Sequence, residues 1–308
     1  MTRRWSLPTS VGYRAAMTAR RGHWTVMEVL DWTRGHFADK GVESPRLDAE
    51  VLLAHVLSTQ RVMLYAQFDR PMEPEELATM RGLVARRAAG APVAHLVGRR
   101  EFWSLEVEVG PDVLVPRPET EILIEVARRR GSAAERVVDV GTGSGAIAIA
   151  LAVELPAARI WGLERSEAAL EVARRNRARL LSEGAEERLV LAASDLLDGL
   201  PADARPVDLL VANLPYVPRD VIETLAPEVR AHEPHLALDG GPDGLALLRR
   251  LIAQAPEALA PGGTIALESA PDQPPAITAL LRDVGFEDVE ITPDLAGHPR
   301  VTSARKPA

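Results

Sequence analysis

The sequence predicts an α/β protein: a mostly parallel sheet wrapped on both faces by helices, preceded by a small helical domain and a linking β-hairpin. Three observations lead there. From Pro116 onward, segments of helical periodicity alternate with short apolar runs, the mark of successive αβ units. From Glu101 to Val109 apolar and polar residues alternate, as they do along a half-buried strand. Before residue 90 the recurring signals are helix starts.

Thr25 with Glu28 forms a capping-box pattern and opens a helix to about Ala38. Ser44-Pro45 starts the next helix, with Ser as cap and Pro at the first helical position; its apolar stripe is Leu47, Val51, Leu52, His55 and Val56. A short apolar segment follows at 62–68. Glu73-Pro74 opens a helix that runs to Ala89 and stops at Gly90. The Glu101–Val109 strand is expected to turn at Gly110-Pro111-Asp112 and return through Val113-Leu114-Val115. Helices are then expected at 119–130, 145–153, 167–181, 243–258 and 274–284. Strands are expected at 136–140, 159–163, 188–193, 207–212, 263–268, 287–292 and 300–304, the final one as an antiparallel insertion. The expected division is an extension at 1–24, a helical domain at 25–90, linker and hairpin at 91–115, and the sheet domain at 116–308.

Composition bounds the chemistry. A hydrophobic share of 46% with 26% charged residues is that of a soluble globular chain, and no apolar run is long enough to span a bilayer. With no Cys there is no disulfide, catalytic thiolate or cysteine-held metal. A net charge of −8 argues against stable binding along nucleic-acid phosphates. All basic residues but Lys40 and Lys306 are Arg, which is read as codon bias. The leader carries Arg3, Arg4, Arg14, Arg20 and Arg21 and no acid. It is expected to be disordered, in a bacterial cytoplasmic protein; an organelle transit peptide is the alternative.

Two motifs carry chemistry. Gly141-Thr142-Gly143-Ser144-Gly145 follows a strand and opens a helix, so the backbone can turn tightly and let a ligand approach. The spacing is a poor fit to a dinucleotide pyrophosphate, but a helix N-terminus also welcomes a carboxylate. Glu164 ends the second strand, where it can accept from both hydroxyls of a ribose, and Asp195 ends the third, where it can receive an adenine amino group. Each has a bland alternative: a tight connection, a residue ahead of the Ser166 cap, a cap of the next turn. Together at successive strand ends they describe a ligand with adenosine and a carboxylate but no phosphate, which is S-adenosylmethionine. The second motif, Asn213-Leu214-Pro215-Tyr216, ends a buried strand and presents an amide, a backbone carbonyl and an aromatic ring to one spot. That suits a planar amino group held still while it reacts.

With Ser44–Glu50, Pro92–Gly98, Arg100-Glu101-Phe102-Trp103, Pro116–Glu121 and Asp139–Gly145, this quartet resembles the release-factor glutamine methyltransferase (PrmC/HemK) family over residues 25–305. The resemblance implies a Rossmann-like, seven-stranded S-adenosylmethionine-dependent methyltransferase sheet. It implies transfer to the side-chain amide of the Gln in the Gly-Gly-Gln motif of peptide chain release factors, with the helical domain helping to dock that protein. Cofactor roles fall on Gly141, Thr142, Gly143, Ser144, Gly145, Glu164, Asp195 or Leu196, and Asn213. Substrate and catalytic roles fall on Asn213, Leu214, Pro215 and Tyr216, the last as a wall. Phe102 lines the pocket by resemblance, or packs beneath the hairpin. No metal is expected, and the protein is expected to act as a monomer. Two features depart from the family: Leu214 stands where Pro is usual, and Glu268 is followed by Ser269, Ala270 and Pro271 where Gly is usual.

His232 and His235 are weighed as a base but read as surface or packing residues, and the resemblance stresses Glu233-Pro234 as a structural corner. Two rivals stand beside the main reading. An adenine amino-group methyltransferase on DNA or RNA would use the same quartet but needs a base-flipping, phosphate-holding surface. A catalytically silent adaptor would keep the cofactor site and transfer nothing.

Overall fold

The computed structural model describes residues 23–308, so the extension expected at 1–24 lies, as far as residue 22, outside the described residues. The chain divides into two compact units, one up to Val97 and one from Gly98 to Ala308. The hairpin therefore belongs with the sheet unit, and the segment after Pro92 with the helices.

The first unit holds helices α1 (Val26–Asp39), α2 (Pro45–Val56), α3 (Arg61–Ala66), α4 (Pro74–Ala88) and α5 (Val93–Val97). Thr25 caps α1 reciprocally: the Glu28 amide donates to Thr25 Oγ1 at 3.3 Å and the Thr25 amide to Glu28 Oε2 at 2.9 Å. Ser44 makes no such bond, because its ψ of 64° differs from the extended backbone that aims a capping hydroxyl, 163° at Thr25. Phe37, Leu52, Leu53 and Leu64 are fully buried at the centre. Glu50 is buried beside them and accepts from Tyr65 (2.5 Å), Arg46 Nε (2.8 Å) and Arg61 Nη2 (2.7 Å). Burial alone would raise its carboxyl; these three donors outweigh it and hold the group at about 2.

The second unit opens with β1 (Arg99–Phe102) and β2 (Leu105–Glu108), paired antiparallel with Phe102 opposite Leu105. The turn is Trp103-Ser104, not Gly110–Asp112 as expected. Both turn residues have positive φ, 51° and 58°, which matches the strand twist of a two-residue hairpin. Trp103 is held there by its amide to Glu121 Oε1 (2.9 Å) and its indole to Glu154 Oε1 (2.8 Å). Val113–Val115 is a buried loop rather than a strand.

A one-turn helix at Pro118–Thr120 leads into α6 (Glu121–Arg130), β3 (Arg136–Val140), α7 (Ala146–Glu154), β4 (Arg159–Glu164) and α8 (Glu167–Leu180). Then come α9 (Glu183–Glu186), β5 (Leu189–Ala193), β6 (Val207–Ala212), α10 (Pro227–His232) and α11 (Ala246–Ala258). The chain finishes with β7 (Leu259–Glu268), α12 (Pro274–Asp283), β8 (Glu287–Pro293) and β9 (Pro299–Arg305). The sheet has seven strands in the order β5-β4-β3-β6-β7-β9-β8. Six run in one direction, and β9 inserts antiparallel between β7 and β8, as the sequence predicted. Leu209 to Ala212 on β6 are fully buried because helices cover both faces. Arg129 and Arg130 do more than complement a helix dipole: they pair with Glu290 and Asp288 and so tie α6 to β8.

Glu50→Gln is expected to cost the helical unit roughly 2–3 kcal/mol at neutral pH. Since Glu50 is depressed in the folded state, the unfolded chain binds more protons in acid. The stabilisation is whole above the usual carboxylate range and is lost as pH falls through about 2. Urea melts of both proteins should therefore differ at neutral pH and converge near that acid limit.

Candidate active site

The carboxyl ends of β3, β4, β5, β6 and β7 share one rim, and the sheet unit has a cavity there. Its empty space, counting the open mouth, is about 1140 Å³, room for a nucleoside-sized ligand and a side chain beside it. Gly141, Thr142, Gly143, Ser144, Glu164, Asp195, Leu196, Asn213, Leu214, Pro215 and Phe102 all line it. The sequence placed each of these in the site, Phe102 only as one of two readings. Gly145 and Tyr216 do not line it. Gly145 serves packing: a Cβ there would stand 3.2 Å from both Ala173 and Ile149, where α7 crosses α8. Tyr216 is partly buried. Burial pushes its phenol up to about 12, with Glu268 adding to this and Arg300 and Arg117 opposing it. His232 and His235 are also absent from the lining.

The glycine turn is fixed from three sides. Gly141 and Thr142 donate their amides to the Leu163 carbonyl of β4 at 2.8 and 3.0 Å. Thr142 Oγ1 donates to Asp139 at 2.6 Å. Gly143 donates to Glu164 Oε2 at 3.0 Å, while Ser166 donates to Oε1 at 2.9 Å. Asp139 is fully buried; desolvation lifts its carboxyl to about 7 against the Thr142 hydrogen bond. Sequence reading left Asp139 without a role, although it stands in the motif.

Gly141 and Leu214 meet directly. Gly141 has φ +78°, and a Cβ on it would fall 2.8 Å from Leu214 Cδ2. The residue that replaces the family's Pro is thus buried against the glycine turn and joins the two motifs. Gly143 differs: a Cβ there would have only the Gly141 carbonyl near it, at 4.0 Å, so its face is open for a ligand.

Around the quartet, Asn213 Nδ2 donates to Thr120 Oγ1 at 3.1 Å. Among the described residues no donor pairs with the Leu214 carbonyl. The Tyr216 carbonyl accepts from Gln273 Nε2 at 3.0 Å, and Val217 pairs with Leu238 and Gly240 through backbone bonds. Arg117 lines the cavity and donates to the buried Glu233 at 2.6 Å, which makes Glu233-Pro234 a corner of the wall. Asp195 accepts from Arg250 Nη2 at 2.9 Å, which lowers its carboxyl. Leu196 is buried with a φ of +54°, a costly backbone for a branched residue. Thr120 and Arg117 had no role from sequence; the signal was their place in Pro116–Glu121, a stretch whose likeness was noted but not interpreted, whereas Glu233-Pro234 was read as a structural corner.

Comparison with known proteins decides the family. Residues 28–98 match the PrmC N-terminal domain and residues 132–289 a methyltransferase domain. A release factor glutamine methyltransferase of Geobacter sulfurreducens is 45% identical over 289 residues, covering 94% of this chain and 99% of the relative. The chain belongs to the release factor glutamine methyltransferase family. A relative of the same name from Rhodopirellula baltica is 41% identical, with 94% and 99% covered. Among solved structures, the hMettl16 catalytic domain in complex with MAT2A 3'UTR hairpin 6 aligns with a TM-score of 0.53 at 16% identity. It covers 73% of this chain and 81% of that one, and shares the fold. This family member is an S-adenosylmethionine-dependent methyltransferase. The rim fits that cofactor: the open face of Gly143 admits it, and each Glu164 oxygen, holding one amide, keeps a further lone pair for a hydroxyl.

Gly141→Ala is expected to weaken S-adenosylmethionine binding roughly tenfold, about 1.4 kcal/mol, through the left-handed backbone and the contact with Leu214. Gly141→Ala combined with Leu214→Ala should recover part of that loss, because the contact is gone. Calorimetric titration of both variants checks it; equal affinity for the two would show that the methyl does not meet Leu214.

Proposed function

We propose that this chain methylates the side-chain amide of the Gln in the Gly-Gly-Gln motif of peptide chain release factors, with Asn213 Oδ1 and the Leu214 carbonyl as paired acceptors. One observation carries this reading. Thr120 takes up the Asn213 nitrogen, so the acceptor end of that amide remains for a ligand in a cavity shared with the glycine turn.

S-adenosylmethionine, when bound, supplies a methyl group on a positively charged sulfur. The residues of the chain position and desolvate. An amide nitrogen is a weak nucleophile because its lone pair is delocalised, so orientation matters most. Well-aligned reactants gain roughly 7–11 kcal/mol at best. Asn213 and Leu214 each accept one hydrogen of the substrate amide and fix its nitrogen. Held by Asn213 and Leu214, the substrate nitrogen would receive that methyl group, its new bond to carbon replacing the carbon–sulfur bond, whose electron pair would stay with the sulfur. The two acceptors favour the positive charge that grows on nitrogen, and one of its hydrogens then leaves to water as a proton. Phe102, Pro215 and Pro234 keep the wall apolar, a part given to Tyr216 from sequence alone.

On the cofactor side, the spare lone pairs of Glu164 suit the ribose hydroxyls. Asp195 keeps one oxygen beyond its Arg250 pair that would accept the adenine amino group, and Leu196, which lines the cavity, would pack against the base. The helical unit is assigned to docking the protein substrate. Its exposed Val62, Met63, Tyr65 and Phe68 offer an apolar row for that purpose. No helix among the described residues is long and apolar enough to cross a membrane. We place the reaction in the bacterial cytoplasm and the enzyme as a monomer.

Tandem mass spectrometry of a release factor incubated with enzyme and cofactor should find one added methyl on the Gly-Gly-Gln peptide. Asn213→Ala should lower kcat by about 10²–10³-fold while cofactor affinity is kept. Turnover like that of the native enzyme would refute its role, and transfer to RNA or DNA in place of the release factor would refute the substrate.

A further inference from the structure

Glu268 ends β7, beside the strand that delivers Asn213. The register pairs Ala212 with Leu267, so Asn213 and Glu268 are the next residues on adjacent parallel strands. Glu268 is 1% exposed, and its carboxyl lies within hydrogen-bonding reach of Thr120 and Asn213. Among the described residues its Oε2 has no hydrogen-bond partner. A buried, half-satisfied carboxyl in a native protein calls for an explanation. The mechanism above makes no use of it.

The groups that face it are few. Arg300 reaches it from β9, itself held by Asp294 Oδ2 at 3.1 Å and the Ser269 carbonyl at 3.3 Å. Glu119 faces it from the one-turn helix, and the Tyr216 phenol from the quartet. Burial is the strongest influence on Glu268, with Glu119 adding to it; Thr120, Arg300 and Asn213 oppose, and the carboxyl comes to rest at about 7.

A carboxamide can be turned end for end with little change of shape, so only its neighbours fix which end is which. We propose that Glu268 is a positioning residue: as a carboxylate it accepts from the Asn213 nitrogen alongside Thr120, and so turns Asn213 Oδ1 to the substrate. An Asn213 flipped the other way would set its oxygen against a charged carboxylate. Protonation removes that penalty, since a neutral Glu268 can donate to the flipped oxygen. Ser269 joins the arrangement through its carbonyl, which anchors Arg300. The assignment rests on Asn213 being the acceptor for the substrate amide.

The test is a set of pH profiles of kcat and KM, from about pH 6 to about pH 8.5, with release factor as substrate. Native enzyme should show kcat rising through about 7 as Glu268 ionises. Glu268→Gln can donate or accept toward Asn213 equally well. It should lose that step and lower kcat about tenfold, with KM for S-adenosylmethionine unchanged. A merely structural role would alter the melting temperature and leave the step in place. A native profile flat across this range, or a Glu268→Gln profile that keeps the step, overturns the assignment. Should Glu268→Gln not fold, the native profile decides alone. If Asn213→Ala is as active as native enzyme, the functional reading itself fails. If Asn213→Ala is inactive while Glu268→Gln matches native enzyme at every pH, only the role of Glu268 falls.

Discussion

An asparagine side chain is ambiguous by construction, since one end donates and the other accepts in nearly the same shape. The hydrogen bond from Asn213 Nδ2 to Thr120 Oγ1 takes up one end of the amide, and because a hydroxyl can donate as well as accept, the Glu268 carboxyl beside it is needed to favour the nitrogen there and leave the oxygen to the cavity. Much of the second unit serves this one bond. Thr120 is buried at the end of a one-turn helix, and α6 behind it is tied to β8 by Arg129 and Arg130. The quartet carrying Asn213 is held from below by Leu214 against Gly141 and from behind by Gln273 on the Tyr216 carbonyl.

Parallel pairing explains why the pieces meet at all. Strands β3, β4, β6 and β7 run in one direction with aligned ends, so the residue after each strand reaches the same rim. The rim gathers a glycine turn, a carboxylate, a carboxamide and a second carboxyl from positions far apart in the chain. The glycine turn is also bound to its neighbour strand by the Gly143 amide on Glu164. A carboxylate read as a ligand group is thus a structural one as well, and the two tasks would draw on different lone pairs of the same oxygens.

The legible features were those encoded locally. The buried runs of β3 and β6, the glycines after Val140 and the Asn213 quartet each show their nature within a few residues. The insertion of β9 could be read because two strand patterns lay too close for a crossover helix. The hairpin turn was misplaced because Trp103-Ser104 carries none of the Gly or Asn signals that usually accompany positive φ, whereas Gly110-Pro111-Asp112 does. The partners of the site were hidden for a different reason. Thr120 and Asn213 are 93 residues apart, Arg117 and Glu233 are 116 apart, and nothing local to any of them records the pairing. Tyr216 was assigned to the wall on adjacency alone, and the direction of a side chain past a strand end depends on its tertiary neighbours.

The place of β9 has a consequence for how this protein comes into being. It follows both of its neighbours in the chain, yet β7 and β8 are joined only through it. While a ribosome is still making the chain, β7 has an open edge and Arg300 does not yet exist to stand over Glu268. The edge of the rim beside Glu268 is therefore completed only once β9 has been made.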